Sequence, residues 1–167
     1  NYRGSSVLID PQTGEVLAMV SKPGFDANLF ARGISQRQYK RLLEDPHGPM
    51  YDRALKGRYP PGSVIKPFMS LAGYHYRVFT PYTRVNCPGH FRVPGTARRF
   101  HCWNRRGHGS VNADRAMAQS CDVYYYTLGY QLGIDRIAEF ASHFRLGIPT
   151  GIDMPDEGSG IVPTREW

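Results

Sequence analysis

One lysine stands alone in a long apolar stretch, and this placement constrains the fold more than any other feature. Within "GRYPPGSVIKPFMSLAGYHY", Lys66 is the only Lys, Arg, Asp or Glu between Arg58 and Arg77. Burying an isolated ammonium group is costly unless something in the protein uses it. Apolar residues occur almost all round the helix that should begin near Ser63, which predicts a central, buried helix. These residues are Val64, Ile65, Phe68, Met69, Leu71 and Ala72.

Ser63 and Lys66 are three positions apart, so in a helix their side chains project side by side. Ser63 would lie in the first turn, where backbone N–H groups favour a developing negative charge. Desolvation should lower the pKa of Lys66, and a neutral amine could then act as the base for the serine hydroxyl. The competing interpretation is a helix-capping serine with a snorkelling lysine. The motif S-x-x-K alone is a weak signal.

Composition sets the outer limits. A chain of 167 residues with 41% hydrophobic and 21% charged residues fits one soluble globular domain, or a large piece of one. No signal peptide opens the chain, and no apolar run reaches the length of a membrane span. The net charge of +7 comes mainly from scattered arginines, which favours a solvated surface over a nucleic-acid interface.

The rest of the chain mixes strands and helices. Val7–Ile9 and Val16–Val20, joined by a turn at 11–14, predict a hairpin with apolar side chains on both faces, which needs helices on both sides. Residues 77–111 are predicted to form an irregular loop rich in Arg, Gly, Pro and His.

Helix start and stop signals occur in the rest of the chain. Ser35 and Gln38 form a capping box for a helix that should stop at Asp45. Asn112 should cap a short helix, the next helix should end at Gly133, and a last helix should run from Asp135 to Gly147.

Several collinear segments resemble the class B penicillin-binding transpeptidases of the elongation type. They are "DPQTGEVLAMVSKPGFD", "YDRALKGRYPPGSVIKP", "QSCDVYYYTLGYQLGIDRI" and "TGIDMPDEGSGIVPTREW", and together they cover nearly the whole chain. The resemblance implies an α+β fold, the penicillin-binding/β-lactamase-like transpeptidase fold, with a central antiparallel sheet covered by helices. The family's third motif, K-[ST]-G, does not occur here. We therefore expect residues 1–167 to be the N-terminal portion of a transpeptidase domain.

The resemblance also assigns roles. Ser63 would be the acyl-accepting nucleophile, Lys66 its base, and Ser120 a proton shuttle to the leaving amine. Asp122 occupies a position where the family more often has Asn. An ionised Asp cannot donate a hydrogen bond, so it would not play the amide's part, but it could pair with Lys66.

Three cysteines and a histidine flank the irregular segment and could form a structural zinc site. Cys87, Cys102, His108 and Cys121 make up a Cys₃His set, although their spacing is not that of a zinc finger. One disulfide with a spare cysteine, or three buried thiols, would also fit. His90 and His101 are rival nitrogen ligands, and the preference for His108 rests on the family's G-H-G. Zinc would tie down a loop with few apolar residues and brace the second catalytic motif, since Cys121 lies between Ser120 and Asp122.

Three functions are compatible with these features. The first is a peptidoglycan D,D-transpeptidase, which acts on stem peptides, is acylated by β-lactams and works with elongation-machinery membrane proteins at the periplasmic face of the inner membrane. Its membrane anchor would be an N-terminal segment outside this chain. The second is a β-lactam sensor that is acylated once at the same serine. The third is a basic zinc module that binds nucleic acid, which the serine–lysine context makes remote.

Overall fold

The computed structural model describes residues 2–166, which form two compact units. One unit comprises the chain up to Tyr59 together with residues 148–160. The other runs from Pro60 to Gly147 and resumes at Ile161. Among residues 2–166, no helix combines the length and the apolar character needed to cross a membrane.

The first unit contains the predicted hairpin. Strand β1 (Gly4–Ile9) pairs antiparallel with β2 (Val16–Lys22), and Gly14 takes the positive φ of 78° that the connecting turn requires. Side chains on both faces of the hairpin are exposed, among them Leu8 and Leu17. Within the first unit, helices do not bury these side chains, so the helical cover expected on both faces is not seen there.

Two helices and a loop organised by one arginine follow the hairpin. Helices α1 (Asn28–Ala31) and α2 (Gln36–Glu44) come first, and the capping box of Ser35 and Gln38 at the start of α2 is confirmed. Asp45 ends α2, as predicted. The buried guanidinium of Arg53 then donates to the carbonyl oxygens of His47, Gly48 and Tyr51, so it satisfies the backbone of the loop at 47–51.

The second unit is built on four helices around one hydrophobic core. A 3₁₀ turn (Gly62–Ile65) leads into α3 (Lys66–His75), followed by α4 (Ala113–Ala118), α5 (Asp122–Leu132) and α6 (Ile134–His143). Fully buried side chains on α5, Tyr124 and Leu128, lie at the centre of the core. The prediction that the segment from about Ser63 forms a central helix buried almost all round is wrong. Val64 is 80% exposed and Leu71 52%, because only one side of this segment packs against the core.

The helix ends were predicted with mixed success. Asn112 caps α4, and its side chain accepts a hydrogen bond from the backbone N–H of Arg115, as expected. The cap of α6 is Gly133 rather than Asp135, which lies in the first turn. Helix α6 also ends at His143, before Gly147. Gly133 serves both helices because, at φ 76° and ψ 160°, it ends α5 and redirects the chain into α6.

Residues 77–111 are not irregular throughout. Strand β3 (Val85–Cys87) pairs antiparallel with β6 (Gly109–Val111), and β4 (His90–Arg92) pairs with β5 (Arg99–His101). Each strand has three residues, too few for an alternating pattern to show in the sequence. The pairing brings the start and the end of this segment together, and with them Cys87 and the loop that carries His108.

Candidate active site

The ammonium group of Lys66 is the centre of a hydrogen-bond network. Its Nζ donates to the backbone oxygen and the Oγ of Ser120, both at 2.9 Å, and to Oδ1 of Asp122 at 2.7 Å. The Lys66 side chain is only 9% exposed and that of Asp122 22%. An ion pair and two further hydrogen bonds thus compensate the buried charge. They explain how a lysine is tolerated in this apolar segment.

Ser120 connects the lysine to Ser63. The Ser120 hydroxyl donates to Oγ of Ser63 over 3.0 Å and accepts from Nζ of Lys66. The predicted neighbours Ser63 and Lys66 are therefore linked through a third residue, since no direct hydrogen bond joins them within residues 2–166. Ser63 lies in the 3₁₀ turn rather than in the first turn of an α-helix, and its side chain is exposed to solvent.

An aromatic ring forms one side of the lysine's surroundings. Nζ of Lys66 lies 5.5 Å from the ring centroid of Tyr125, within range of a cation–π interaction. Tyr125 is itself fixed, because its hydroxyl is 3.0 Å from Oγ of Ser70 on α3. Burial raises the pKa of Tyr125, so this hydroxyl remains neutral.

The backbone of Ser120 is in a left-handed conformation, with φ at 49°. This region costs an ordinary L-residue roughly 1–2 kcal/mol. It is maintained by the tight turn between α4 and α5, in which the N–H of Ser120 donates to Met117 and that of Cys121 to Ala116. Strain of this kind is common at functional sites, and here it directs the Ser120 side chain to Ser63 and Lys66.

Asp122 accepts a second hydrogen bond on its other oxygen. The backbone N–H of Trp103 donates to Oδ2 of Asp122 over 3.0 Å, and the indole N–H of Trp103 donates to the carbonyl oxygen of Gln119 over 2.9 Å. The carboxylate lies at the start of α5, where the helix dipole favours a negative charge. Sequence reasoning missed Trp103 and Tyr125. The only hint was the position of Trp103 directly after Cys102 in the loop.

The four residues expected to bind a metal lie together. One ligand atom from each of Cys87, Cys102, His108 and Cys121 lies within 4.8 Å of the others. The three cysteines are buried free thiols. His90 and His101 are not members of this cluster and face each other across β4 and β5.

The spacing within the cluster fits a tetrahedral metal. Nδ1 of His108 is 3.6 Å from the Sγ of Cys87 and 3.5 Å from that of Cys102. Sulfur and nitrogen bound to one tetrahedral zinc are separated by about 3.6 Å, given the usual Zn–S and Zn–N bond lengths. Burial raises the pKa of the Cys121 thiol to about 12, so without a cation nearby this sulfur keeps its proton.

Comparisons with known proteins define the class of this chain. Residues 4–167 match the family model of the penicillin-binding protein transpeptidase domain. The chain is 44% identical over 165 residues to the peptidoglycan D,D-transpeptidase MrdA of Acinetobacter baumannii, an alignment that covers 99% of this chain and 25% of that protein. The chain belongs to the penicillin-binding protein transpeptidase family.

Solved structures show which members it resembles. Pseudomonas aeruginosa PBP2 in complex with WCK 5153 superposes with a TM-score of 0.91 at 45% identity, over 99% of this chain and 36% of that one. PBP2 in its complex with MreC from Helicobacter pylori also gives 0.91, at 33% identity, over 99% of this chain and 30% of that one. The predicted transpeptidase fold is confirmed. This chain spans about a quarter of the length of the curated relatives it matches.

Proposed function

We propose that this chain is part of a serine-type peptidoglycan D,D-transpeptidase of the elongation type, with Ser63 as nucleophile. The observation that carries the proposal is the hydrogen-bonded series Ser63–Ser120–Lys66–Asp122. A serine hydroxyl needs a base to become a nucleophile, and this series connects it to an amine. The similarity of the chain to MrdA peptidoglycan D,D-transpeptidases also supports this proposal.

The reaction proceeds in two acyl transfers. For this step Lys66 is a neutral amine that has released one proton to solvent, so the hydrogen bonds of the series run from Ser63 to Ser120 to Lys66. Oγ of Ser63 attacks the carbonyl carbon of the penultimate D-Ala of a stem peptide, and its proton passes through Ser120 to that amine. The C–N bond breaks, the proton returns to the leaving nitrogen, and terminal D-Ala departs. The amine of a neighbouring strand then attacks the acyl carbon, the ester C–O bond to Ser63 breaks as the cross-link forms, and a proton of the attacking amine passes to Oγ of Ser63. A β-lactam carbonyl would acylate Ser63 in the same way.

Ser120 is the residue that moves the proton between the two partners, since it is bonded to both. Asp122 holds Lys66 in place and makes no hydrogen bond to Ser63 within residues 2–166. The backbone N–H of Ser63, at the start of a helical turn, is the oxyanion donor that this chain would supply. The second donor and substrate alignment would come from the K-[ST]-G strand, which lies outside this chain in the resemblance.

The test uses the full-length protein. Mass spectrometry after incubation with a β-lactam should find one adduct per chain, located on the peptide that contains Ser63, and Ser63→Ala should abolish it. Cross-linking of stem peptides by the wild type, with repeated turnover, separates a transpeptidase from a sensor that is acylated once. An adduct on another residue, or an undiminished adduct in Ser63→Ala, would refute the assignment.

We further propose that Cys87, Cys102, His108 and Cys121 hold one structural zinc ion. The support is the clustering of one nitrogen and three sulfurs at distances suited to tetrahedral coordination. Four protein ligands leave no open position for water, so the metal would act as a cross-link. It would join β3, the loop after β5 and the turn before α5, and so keep Cys121 and its two catalytic neighbours in place.

One relative supports a proposal for the setting of the whole protein. The H. pylori PBP2 structure is a complex with MreC. We propose that the full-length protein likewise works with membrane proteins of the elongation machinery, anchored at the periplasmic face of the inner membrane. Co-purification of the full-length protein with such a partner from a detergent-solubilised membrane fraction would support this, and exclusive recovery in the soluble cytoplasmic fraction would contradict it.

A further inference from the structure

Trp103 joins the metal-cluster loop to the catalytic residues at two points. Its indole N–H donates to the carbonyl oxygen of Gln119, and its backbone N–H donates to Oδ2 of Asp122. Gln119 is the last residue before Ser120 and the C-cap of α4, where a carbonyl has no helical partner of its own. Trp103 therefore donates hydrogen bonds to groups on both sides of Ser120 in the chain, the carbonyl of Gln119 before it and the carboxylate of Asp122 after it.

The two bonds act on the parts of the site that determine its geometry. The bond to Gln119 fixes the peptide that enters the left-handed backbone of Ser120, at φ 49°. The bond to Asp122 fixes the carboxylate that is paired with Lys66. Trp103 is 65% exposed, so burial of an apolar side chain does not explain this arrangement.

We propose that Trp103 is a positioning residue for acylation, which holds the Ser120 turn through its indole N–H and the Asp122 carboxylate through its backbone N–H. The proposal rests on the function proposed above for Ser63. Trp103 acts through Ser120 and Asp122, so its loss should slow the acylation step and leave the initial binding of the β-lactam unchanged.

The same geometry explains why position 122 carries Asp. Both of its oxygens face donors, Nζ of Lys66 at 2.7 Å and the N–H of Trp103 at 3.0 Å. An asparagine has one oxygen and one NH₂ group, so once Lys66 is protonated, a donor would face a donor whichever way the amide was turned. The Asp is therefore matched to Trp103, and the amide common in the wider family would not replace it.

The experiment measures the limiting acylation rate and the apparent dissociation constant separately, by stopped-flow with a fluorescent penicillin on the full-length, metal-loaded protein. Trp103→Phe removes the indole N–H and keeps an aromatic ring. We expect the limiting rate to fall about tenfold to a hundredfold, as for other small misplacements of catalytic groups, with the dissociation constant unchanged. Tyr130→Phe, another exposed aromatic of the same unit, is the matched control and should leave both constants unchanged.

Two further variants separate positioning from general loss of structure. Replacing Trp103 by benzothienylalanine, which keeps the shape of tryptophan and has sulfur in place of the N–H, should slow acylation as Trp103→Phe does, with unchanged thermal stability and metal content. Asp122→Asn should lose as much rate as Asp122→Ala. An unchanged limiting rate in both Trp103 variants, or an Asp122→Asn protein as fast as wild type, overturns the inference. If Ser63→Ala still forms the adduct, the proposed function fails instead.

Discussion

The hydroxyl of Ser120 lies 3.0 Å from the hydroxyl of Ser63, although the two residues are 57 positions apart in the chain. The hydrogen-bond partner of the Ser63 hydroxyl thus comes from the turn between α4 and α5, and Lys66, three positions along from Ser63, is connected to Ser63 through that turn. The position of Ser120 therefore matters as much as its hydroxyl.

Two substitutions at Ser120 can separate these contributions. Ser120→Ala and Ser120→Gly both remove the hydroxyl and should both slow Ser63 acylation, by about 10²–10⁴ if the proton must pass through it. Only glycine adopts the left-handed backbone without strain, so Ser120→Gly should be more stable than Ser120→Ala by about 1 kcal/mol. Urea unfolding and acylation kinetics give the two numbers. A proton taken directly by Lys66 would leave acylation of both variants near the wild-type rate.

The chain offers two lysine–aspartate pairs of different burial for a comparison of stability. Lys66 pairs with Asp122 at 2.7 Å with side chains 9% and 22% exposed, and Lys56 pairs with Asp156 at 3.0 Å with side chains 39% and 75% exposed. Lys66→Met should lower the free energy of unfolding by about 2 kcal/mol. The loss should be smaller than for a fully buried pair, because Asp122 stays partly exposed to solvent and keeps its hydrogen bond from Trp103. Lys56→Met should cost less than about 1 kcal/mol. If chemical unfolding gave equal losses of unfolding free energy for the two variants, the burial of Lys66 would not contribute to the stability of its ion pair.

Removal of the metal should weaken stability and catalysis together. We expect one zinc per chain by elemental analysis. A chelator, or Cys102→Ser, should lower the unfolding temperature and slow the acylation of Ser63, because Cys121 would no longer anchor the second motif.

Histidine variants provide the matched control for the metal. His108→Ala should lose the zinc, whereas His101→Ala should retain it, since His101 is exposed and lies outside the cluster. A disulfide would give another pattern, in which a reductant destabilises the protein, a chelator has no effect and no zinc is found.

Two glycines in facing helices test how tightly the core is packed. A Cβ on Gly73 of α3 would meet Cδ1 of Leu128 at 2.8 Å, which is too close, so Gly73→Ala should destabilise the protein by about 1–3 kcal/mol. A Cβ on Gly129 of α5 would meet only Cε of Met69, at 3.8 Å. Gly129→Ala should therefore stabilise the protein by about 0.5–1 kcal/mol, as expected for an unstrained helical glycine. The two unfolding free energies should change in opposite directions, and the same sign for both would contradict this packing.

The features that the sequence predicted well are local ones. The capping box at Ser35, the cap at Asn112 and the hairpin turn at Gly14 each depend on residues a few positions apart, so their chemistry is visible in a short segment. The fold was predicted correctly from collinear resemblance, since several segments matched in order. The pairing of Lys66 with Asp122, raised from the sequence as a possibility, is seen in the structure.

The features that could not be predicted from the sequence depend on contacts between residues far apart in the chain. The three-residue strands of the segment 77–111 have no periodicity of their own and exist because each finds a partner. The route from Ser63 to Lys66 through Ser120 needs the turn after α4 to lie against α3. Trp103 was missed for the same reason. The partners of its two N–H groups, Gln119 and Asp122, are far from it in the sequence and come close only in the folded chain.

The exposed hairpin of the first unit has a practical consequence for handling the molecule. Within residues 2–166, β1 and β2 pair only with each other, so each leaves an outer edge with free backbone N–H and C=O groups. Apolar side chains on both faces, such as Val7, Leu17 and Val20, are 40% or more exposed. Edges of this kind recruit strands from other molecules. Expressed as these residues alone, the protein should self-associate into soluble aggregates or inclusion bodies, and a charged substitution such as Leu17→Lys should be the simplest way to keep it monodisperse.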